Sequence, residues 1–473
     1  MLNRRELLVR AAGLGAALAV PDWAFAATDP RLKSLAAAMR GPVLARGAPG
    51  YALARLEYDS VYDAVKPLAV VQPLDAADVA AVVRWATKTG VHIVARSGGH
   101  SYGGYSTVAN GVVVDLQRLK SISVSQGRAL VGAGARLGNI YNGLAHHGLA
   151  IPAGTCPSVG IGGHALGGGF GLASRAWGLA SDNVLAVQLV TAYGKVIVAD
   201  AKHHSDLYWA CRGGGGGNFG LVTHFTFRTH AVAQGSYFVA TWPWAQAAEV
   251  IAAFLAWAPH QPDALGALCR LAAGGGPTVQ VFGQYLGSET ALKSALASLH
   301  PPAAKLTTGT AAWLDLVRRW AGCLGHPLAG CSVPGHTAFA GASDYLAKIP
   351  STPQLARFTD VVEARGASSG ALLIDAYGGA INRVKPAATA FVHRAMLASI
   401  QYYAGGAGAR GWVDSSRAML EPAVTGSAYV NYIDPHLANW QQAYYGANLP
   451  RLKAVKKKYD PHNLFRFPQS IRA

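Results

Sequence analysis

Residues 96–104 read Arg96-Ser97-Gly98-Gly99-His100-Ser101-Tyr102-Gly103-Gly104, and residues 154–164 read Gly154-Thr155-Cys156-Pro157-Ser158-Val159-Gly160-Ile161-Gly162-Gly163-His164. Neither stretch has the composition of a helix or a strand. Successive glycines let backbone N–H groups converge on an anion such as a pyrophosphate. They also cost backbone entropy on folding, a cost met where the chain must come close to a ligand. One loop carries a histidine. The other carries a cysteine between Thr155 and Pro157, a poor position for a core thiol. The second run continues into Gly167-Gly168-Gly169-Phe170-Gly171.

A third glycine run follows Arg212 and ends in Asn218-Phe219-Gly220. Gly215, Gly217 and Gly220 satisfy the GxGxxG spacing, but that motif binds dinucleotides only where it follows a strand and opens a helix. Here a helical pattern precedes it, the strand-like Leu221–Thr229 follows, and no acidic residue lies near position 240. A Rossmann unit is excluded.

Outward from these loops, the chain alternates short apolar strand-like runs with helical patches. Strand-like runs are 67–71, 93–95, 112–115 and 129–132, and residues 184–191 and 196–199 form a hairpin pattern around Tyr193-Gly194. Helical patterns cover Asp78–Thr89, with Asp75 as its N-cap, and Arg136–His147. From residue 236 helices lengthen (Trp244–Trp257, Ala311–Trp320) between the strands Thr278–Tyr285 and Gly370–Tyr377. The tail ends in a basic helix over Leu449–Tyr459. The fold class read from this is α+β, with a second domain built on an antiparallel sheet covered by helices.

Of 473 residues, 51% are hydrophobic and 14% charged, which excludes disorder, and the formal net charge of +17 suits anionic partners. The basic residues are not interleaved with exposed aromatics, so no nucleic-acid module is expected. Arg4-Arg5, an apolar run Ala11–Val20 and Ala24-Phe25-Ala26 read as a signal peptide of twin-arginine type over residues 1–26, and hence export to the periplasm or the medium. No later segment is apolar over the roughly 18 residues that a membrane span needs. Of the five cysteines, Cys323 and Cys331 could pair in an oxidising compartment.

The histidine and cysteine loops, with Tyr429-Val430-Asn431-Tyr432-Ile433-Asp434, Tyr444-Tyr445-Gly446 and the run from Lys458 to Phe465, resemble the berberine-bridge-enzyme-like flavoproteins of the vanillyl-alcohol oxidase / p-cresol methylhydroxylase (PCMH) superfamily. The resemblance spans almost the whole chain after residue 26. It implies a two-domain PCMH-type fold with an FAD-binding domain over 27–235, a substrate domain over 236–424 and a segment 425–473 returning to the FAD domain. It implies FAD held by two covalent bonds, from His100 to the flavin 8α-methyl carbon and from Cys156 to ring carbon 6. A neutral imidazole and a thiolate are suitable nucleophiles for an electron-poor flavin. Ser97, Gly98, Gly99 and Ser101 would cradle the pyrophosphate. Gly160, Gly162, Gly163 and His164 would line the cofactor, with Gly220 and Val222 near its adenine end. Arg96, Tyr102, Ser158, Val159 and Asn431 are further cofactor contacts. No metal is expected.

Oxidation also needs a base for the substrate hydroxyl. Two sets of candidates stand out: Tyr429 and Tyr432 in the tail, and Asp375 with Tyr377, two apart and hence on one face of a strand. Strict alternation would put Tyr432 opposite Tyr429, leaving one of them as the base. In similar proteins a valine at the position of Val159 accompanies oxygen access to the flavin. The expected activity is a secreted FAD oxidase, a monomer, acting on an alcohol or hemiacetal with molecular oxygen as acceptor and peroxide as product. Sugars and oligosaccharides are the favoured substrates, aromatic secondary metabolites the alternative. A flavin-loaded protein that binds anionic polymers is a third reading, motivated by the charge. Of the tryptophans at 242, 244, 257, 313 and 320, most are expected in the core.

Overall fold

The computed structural model describes residues 29–331 and 335–473; the predicted signal segment 1–26 lies outside them. In the N-terminal half, strands β1 (Val43–Ala45), β2 (Ala69–Val71), β3 (Ile93–Arg96) and β4 (Val112–Asp115) form a sheet in the order β1-β2-β4-β3. The β2, β4 and β3 pairings are parallel, and β1 is antiparallel to β2. Strands buried on both faces read as continuous apolar runs, as Val112–Val114 do. The helix Ala76–Thr89 covers this sheet. Asp75 caps it by accepting from the Ala77 and Asp78 N–H groups, and Gly90 ends it in a left-handed conformation (φ 71°). Its face of Val79, Val82, Val83 and Ala86 is fully buried.

A second, antiparallel sheet adds β5 (Ile122–Ser125), β6 (Arg128–Gly132), β8 (Val184–Val190), β9 (Val196–Asp200) and β10 (Leu221–Arg228) in the order β5-β6-β10-β8-β9, with β8 and β9 forming the expected hairpin. The strands β7 (Leu149–Ala150) and β11 (His230–Ala231) form a separate short antiparallel pair.

The largest sheet is antiparallel throughout. It comprises β12 (Gln234–Trp242), β13 (Leu265–Ala273), β14 (Thr278–Tyr285), β15 (Lys305–Ala312), β16 (Phe339–Leu346), β17 (Gly370–Ala376) and β18 (Ala398–Gly405), ordered β15-β12-β14-β13-β17-β18-β16. Helices Ala247–Trp257, Thr352–Glu363 and Ala409–Leu420 pack on one face. Period-two alternation sorts its residues. Cys269 and Leu271, Leu372 and Ile374, Ile400 and Tyr402 enter the helix-covered core. Leu268 and Arg270, Leu373 and Asp375, Gln401 and Tyr403 face the other way, towards the glycine loops. The fold is therefore α+β, with the helix-covered antiparallel sheet expected. Trp242, Trp257 and Trp313 are buried. Cys323 and Cys331 are joined by a disulfide.

The tail returns to the N-terminal sheets. Lys456, fully buried, pairs with Asp460 at 2.7 Å and donates to the carbonyls of Asn218 and Phe465. Ile471 N–H donates to Asn218 Oδ1. No described helix is long and apolar enough to cross a membrane.

Candidate active site

A cavity of about 620 Å³ runs between the glycine loops and the exposed face of the seven-stranded sheet. From the first loop Ser97, Gly98, Gly99, His100, Ser101 and Tyr102 line it. From the second come Cys156, Val159, Gly160, Gly162, Gly163 and His164; Gly220, Val222, Asp375, Tyr429, Asn431 and Tyr432 join them. The first two loops cross in contact. A Cβ on Gly98 would run into the Gly160 amide, and one on Gly160 into Ser97. Glycine at Gly163 serves the cavity instead, since a Cβ there meets nothing within 4 Å. The glycines at 167–171 divide: Gly171 lines the cavity, as the ligand-approach expectation has it, while Gly167 and Gly168 lie against the tail residues Asn431 and Tyr429. A side chain on Gly167 would strike Asn431, and one on Gly171 would strike the Ala153 carbonyl. Gly167 and Gly168 thus admit the tail, and Gly171 a neighbouring stretch of the second loop.

His100 stacks on Tyr58 (ring centroids 3.9 Å, 21°), and its Nε2 lies 3.0 Å from Ser158 Oγ. Burial, helped by the Arg136 charge, lowers its pKa to about 3, so the ring is neutral. Ser158 thus acts through His100 and is not itself among the lining residues. Cys156 is exposed to the cavity but enclosed by protein, and this burial raises its thiol pKa. His164 is also neutral, lowered to about 4 by burial; its Nε2 accepts from the Gly154 N–H at 3.0 Å. A glycine-walled cavity facing an uncharged imidazole and a cysteine fits a flavin dinucleotide.

Tyr429 is the best-defined candidate base. Its hydroxyl accepts three N–H groups: Gly169 at 2.7 Å, Phe170 at 3.2 Å and the Asn431 side-chain amide at 2.8 Å. A phenol has two lone pairs and a phenolate three, so this arrangement matches the anion. Burial pushes its pKa up to about 12, and these donors oppose the rise. Asp375 faces the same cavity, and burial raises its carboxyl to about 7.

Three expectations need correction. Arg96 does not reach the cavity. Its guanidinium is buried against Asp115 (2.9 Å) and the carbonyls of Ala54, Arg55 and Leu56, so it is a structural ion pair holding the segment before Tyr58. Tyr377 does not share the open face with Asp375, because β17 ends at Ala376. Its ring lies stacked behind Phe170 (5.5 Å, 6°), with its hydroxyl 3.4 Å from that of Tyr345. Tyr429 and Tyr432 do not alternate on a strand. Tyr429 caps and Tyr432 ends a 3₁₀ turn, Val430–Tyr432, which brings both rings to the cavity, 5.0 Å apart. Tyr432 stacks on Tyr102 (5.3 Å, 11°), whose hydroxyl accepts from Gln401 at 2.6 Å.

Other lining residues escaped sequence reasoning. Tyr58 lies in a stretch without a motif. Trp320, grouped with probable core tryptophans, stacks on Phe282 at the cavity wall (5.5 Å, 22°). Arg270, Gln401 and Tyr403 belong to strands whose parity was legible only once the sheet was known. The glycines at 215–217 and Asn218 line the cavity beside Gly220.

Family models match at two places: an FAD binding domain over residues 67–200, and a berberine and berberine-like domain over residues 428–472. An uncharacterized FAD-linked oxidoreductase of Bacillus subtilis is 35% identical, covering 92% of this chain and 98% of the relative. A chitooligosaccharide oxidase of Gibberella zeae is 34% identical, over 86% of this chain and 87% of its own. Among solved structures, BBE-like 1 of Physcomitrella patens superposes with a TM-score of 0.86 at 34% identity, covering 94% of this chain and 99% of that one.

Proposed function

Since the chain belongs to the berberine-bridge-enzyme-like FAD-linked oxidoreductases, we propose that it oxidises an alcohol or hemiacetal carbon of a sugar or oligosaccharide to a carbonyl or lactone, with molecular oxygen as acceptor and hydrogen peroxide as second product. The observation that carries this reading is the Tyr429 hydroxyl, held by three N–H donors in a cavity it shares with Asp375. FAD, when bound, supplies the hydride acceptor. His100 and Cys156 would hold it covalently, with the glycine loops around it. Tyr429, as phenolate, takes the substrate hydroxyl proton as hydride leaves carbon. The N–H groups of Gly169, Phe170 and Asn431 stabilise the charge that Tyr429 carries before this step. Asp375 disfavours that phenolate when ionised and supplies an acceptor for a second substrate hydroxyl.

The oligosaccharide oxidase among the relatives supports the carbohydrate reading. The aromatic wall of Trp320, Phe282 and Tyr403 suits the faces of sugar rings. Export through the Arg4-Arg5 segment is part of this proposal, and the Cys323–Cys331 disulfide agrees with an oxidising compartment. The test is a peroxide assay over neutral disaccharides, chitobiose and aromatic alcohols, with anaerobic flavin bleaching as the second readout. Turnover confined to aromatic alcohols would overturn the carbohydrate assignment.

A further inference from the structure

Arg270 is the charged cavity residue that the reaction above leaves unused. It stands on β13 two residues from Leu268, on the open face of the sheet, opposite Leu373, which in turn lies opposite Gln401 on β18. Its side chain is exposed to the cavity. Among the described residues its guanidinium has no hydrogen-bond or ion-pair partner. Partial burial lowers its pKa, and no carboxylate contributes to hold it up. Asp375 is the one carboxylate among the lining residues. Its own shift comes from burial alone, so the two charges do not form a pair. Arg466, the other lining cation, sits between Phe465 and Phe467, where Phe465 bridges to Ile93 of the N-terminal sheet.

A guanidinium that opens into a cavity with no carboxylate beside it is free to take its counter-ion from a ligand. A guanidinium fork matches a carboxylate with two parallel hydrogen bonds. Aromatic faces lie along the same wall: Phe282 is the cross-strand neighbour of Leu268 and stacks on Trp320, whose Nε1–H is already engaged with Gln284 at 3.0 Å. The wall thus offers ring-stacking surface beside one uncommitted cation. The net charge of +17 adds a long-range attraction for anions. A wall meant only for neutral hydroxyls needs no charge here; an amide would serve.

We propose that the saccharide oxidised by this enzyme is an acidic one and that Arg270 binds its carboxylate, as in a uronic-acid-containing oligosaccharide. The proposal rests on the carbohydrate reading given above and narrows it.

The test uses matched pairs on the holoenzyme: cellobiose against cellobiouronic acid, and galactobiose against digalacturonate. Each pair differs only in carboxylate content. The wild type should favour an acidic member by about tenfold or more in kcat/KM, carried by KM, as expected for a charge-assisted pair. In R270Q that ratio should fall by a similar factor, and R270K should keep part of it. The flavin-to-protein ratio of each variant separates a lost cation from a damaged fold. Turnover of the neutral sugars without an acidic preference, or an equal effect of R270Q on both members of each pair, overturns the proposal and leaves the carbohydrate reading in place. Turnover of none of the four overturns this proposal, and the carbohydrate reading falls with it if chitobiose is refused as well.

Discussion

The side-chain amide of Asn431 donates one N–H to the Tyr429 hydroxyl at 2.8 Å and the other to the His164 carbonyl at 2.9 Å. The tail thereby aims its own tyrosine and fastens it to the loop of the second glycine motif. Replacing Tyr429 with Phe removes the proton acceptor and leaves three N–H groups without their partner. Turnover should fall by about 10²–10⁴-fold, the usual weight of a general base. Flavin content should be unchanged, and the loss should appear in anaerobic flavin reduction, not in reoxidation.

Asp375 gives a signed pH dependence. Its carboxyl, raised to about 7 by burial, is neutral in acid and charged above that value. A folded-state pKa above the unfolded one favours folding at low pH, and that advantage is lost as pH rises through about 7. D375N should therefore match the wild type in stability near pH 4 and exceed it above pH 7. The gain is at most about 4 kcal/mol and smaller where cavity water reaches the carboxylate. Thermal melts at pH 5 and 8.5 measure it. An identical difference at both pH values would remove the assignment.

The two proposed flavin bonds are separable. H100A and C156A should each retain singly attached flavin, and the double variant none after acid denaturation. Intact mass reads this directly. Because His100 is already neutral, with a pKa near 3, attachment through it should not vary between pH 5 and 8. Attachment through Cys156, whose thiol is raised by burial, should slow as pH falls.

Val159 lines the cavity three residues after Cys156. If it admits oxygen, V159L should slow reoxidation by oxygen while anaerobic reduction by substrate is unaffected. Stopped-flow absorbance separates the two half-reactions.

Lys456 tests the tail's anchorage. K456M leaves the Asp460 carboxylate buried beside two unpaired carbonyls, and breaking a buried pair from one side costs about 3–5 kcal/mol. A clear fall in Tm is expected. It should be larger than that of K458M, whose partner Asp206 is near the surface.

Much of this was readable from residue order. Gly98 and Gly160 stood out as glycines that let backbone approach a ligand, and the structure adds that they let the two loops cross. The strand Gly370–Tyr377 was legible as β17, whereas β13 and β18, and with them the faces of Arg270, Gln401 and Tyr403, emerged only with the sheet. Arg96 misled because a cation before a glycine loop looks like an anion ligand, while its acceptors Ala54, Arg55 and Leu56 are distant in sequence and lack any motif. Tyr432 misled because a single 3₁₀ turn replaces strand alternation, and nothing in Tyr429–Asp434 announces the turn. Tyr58 and Arg270 depend on packing between separate elements, which no local pattern encodes.

The candidate base, Tyr429, comes from the tail, some 270 residues downstream of Cys156. On the ribosome, the glycine loops and the sheet wall emerge first and the Tyr429 hydroxyl last. The order of synthesis thus leaves the cavity without one wall, from Tyr429 to Ile433 and from Phe465 to Phe467, until the last part of the chain has emerged.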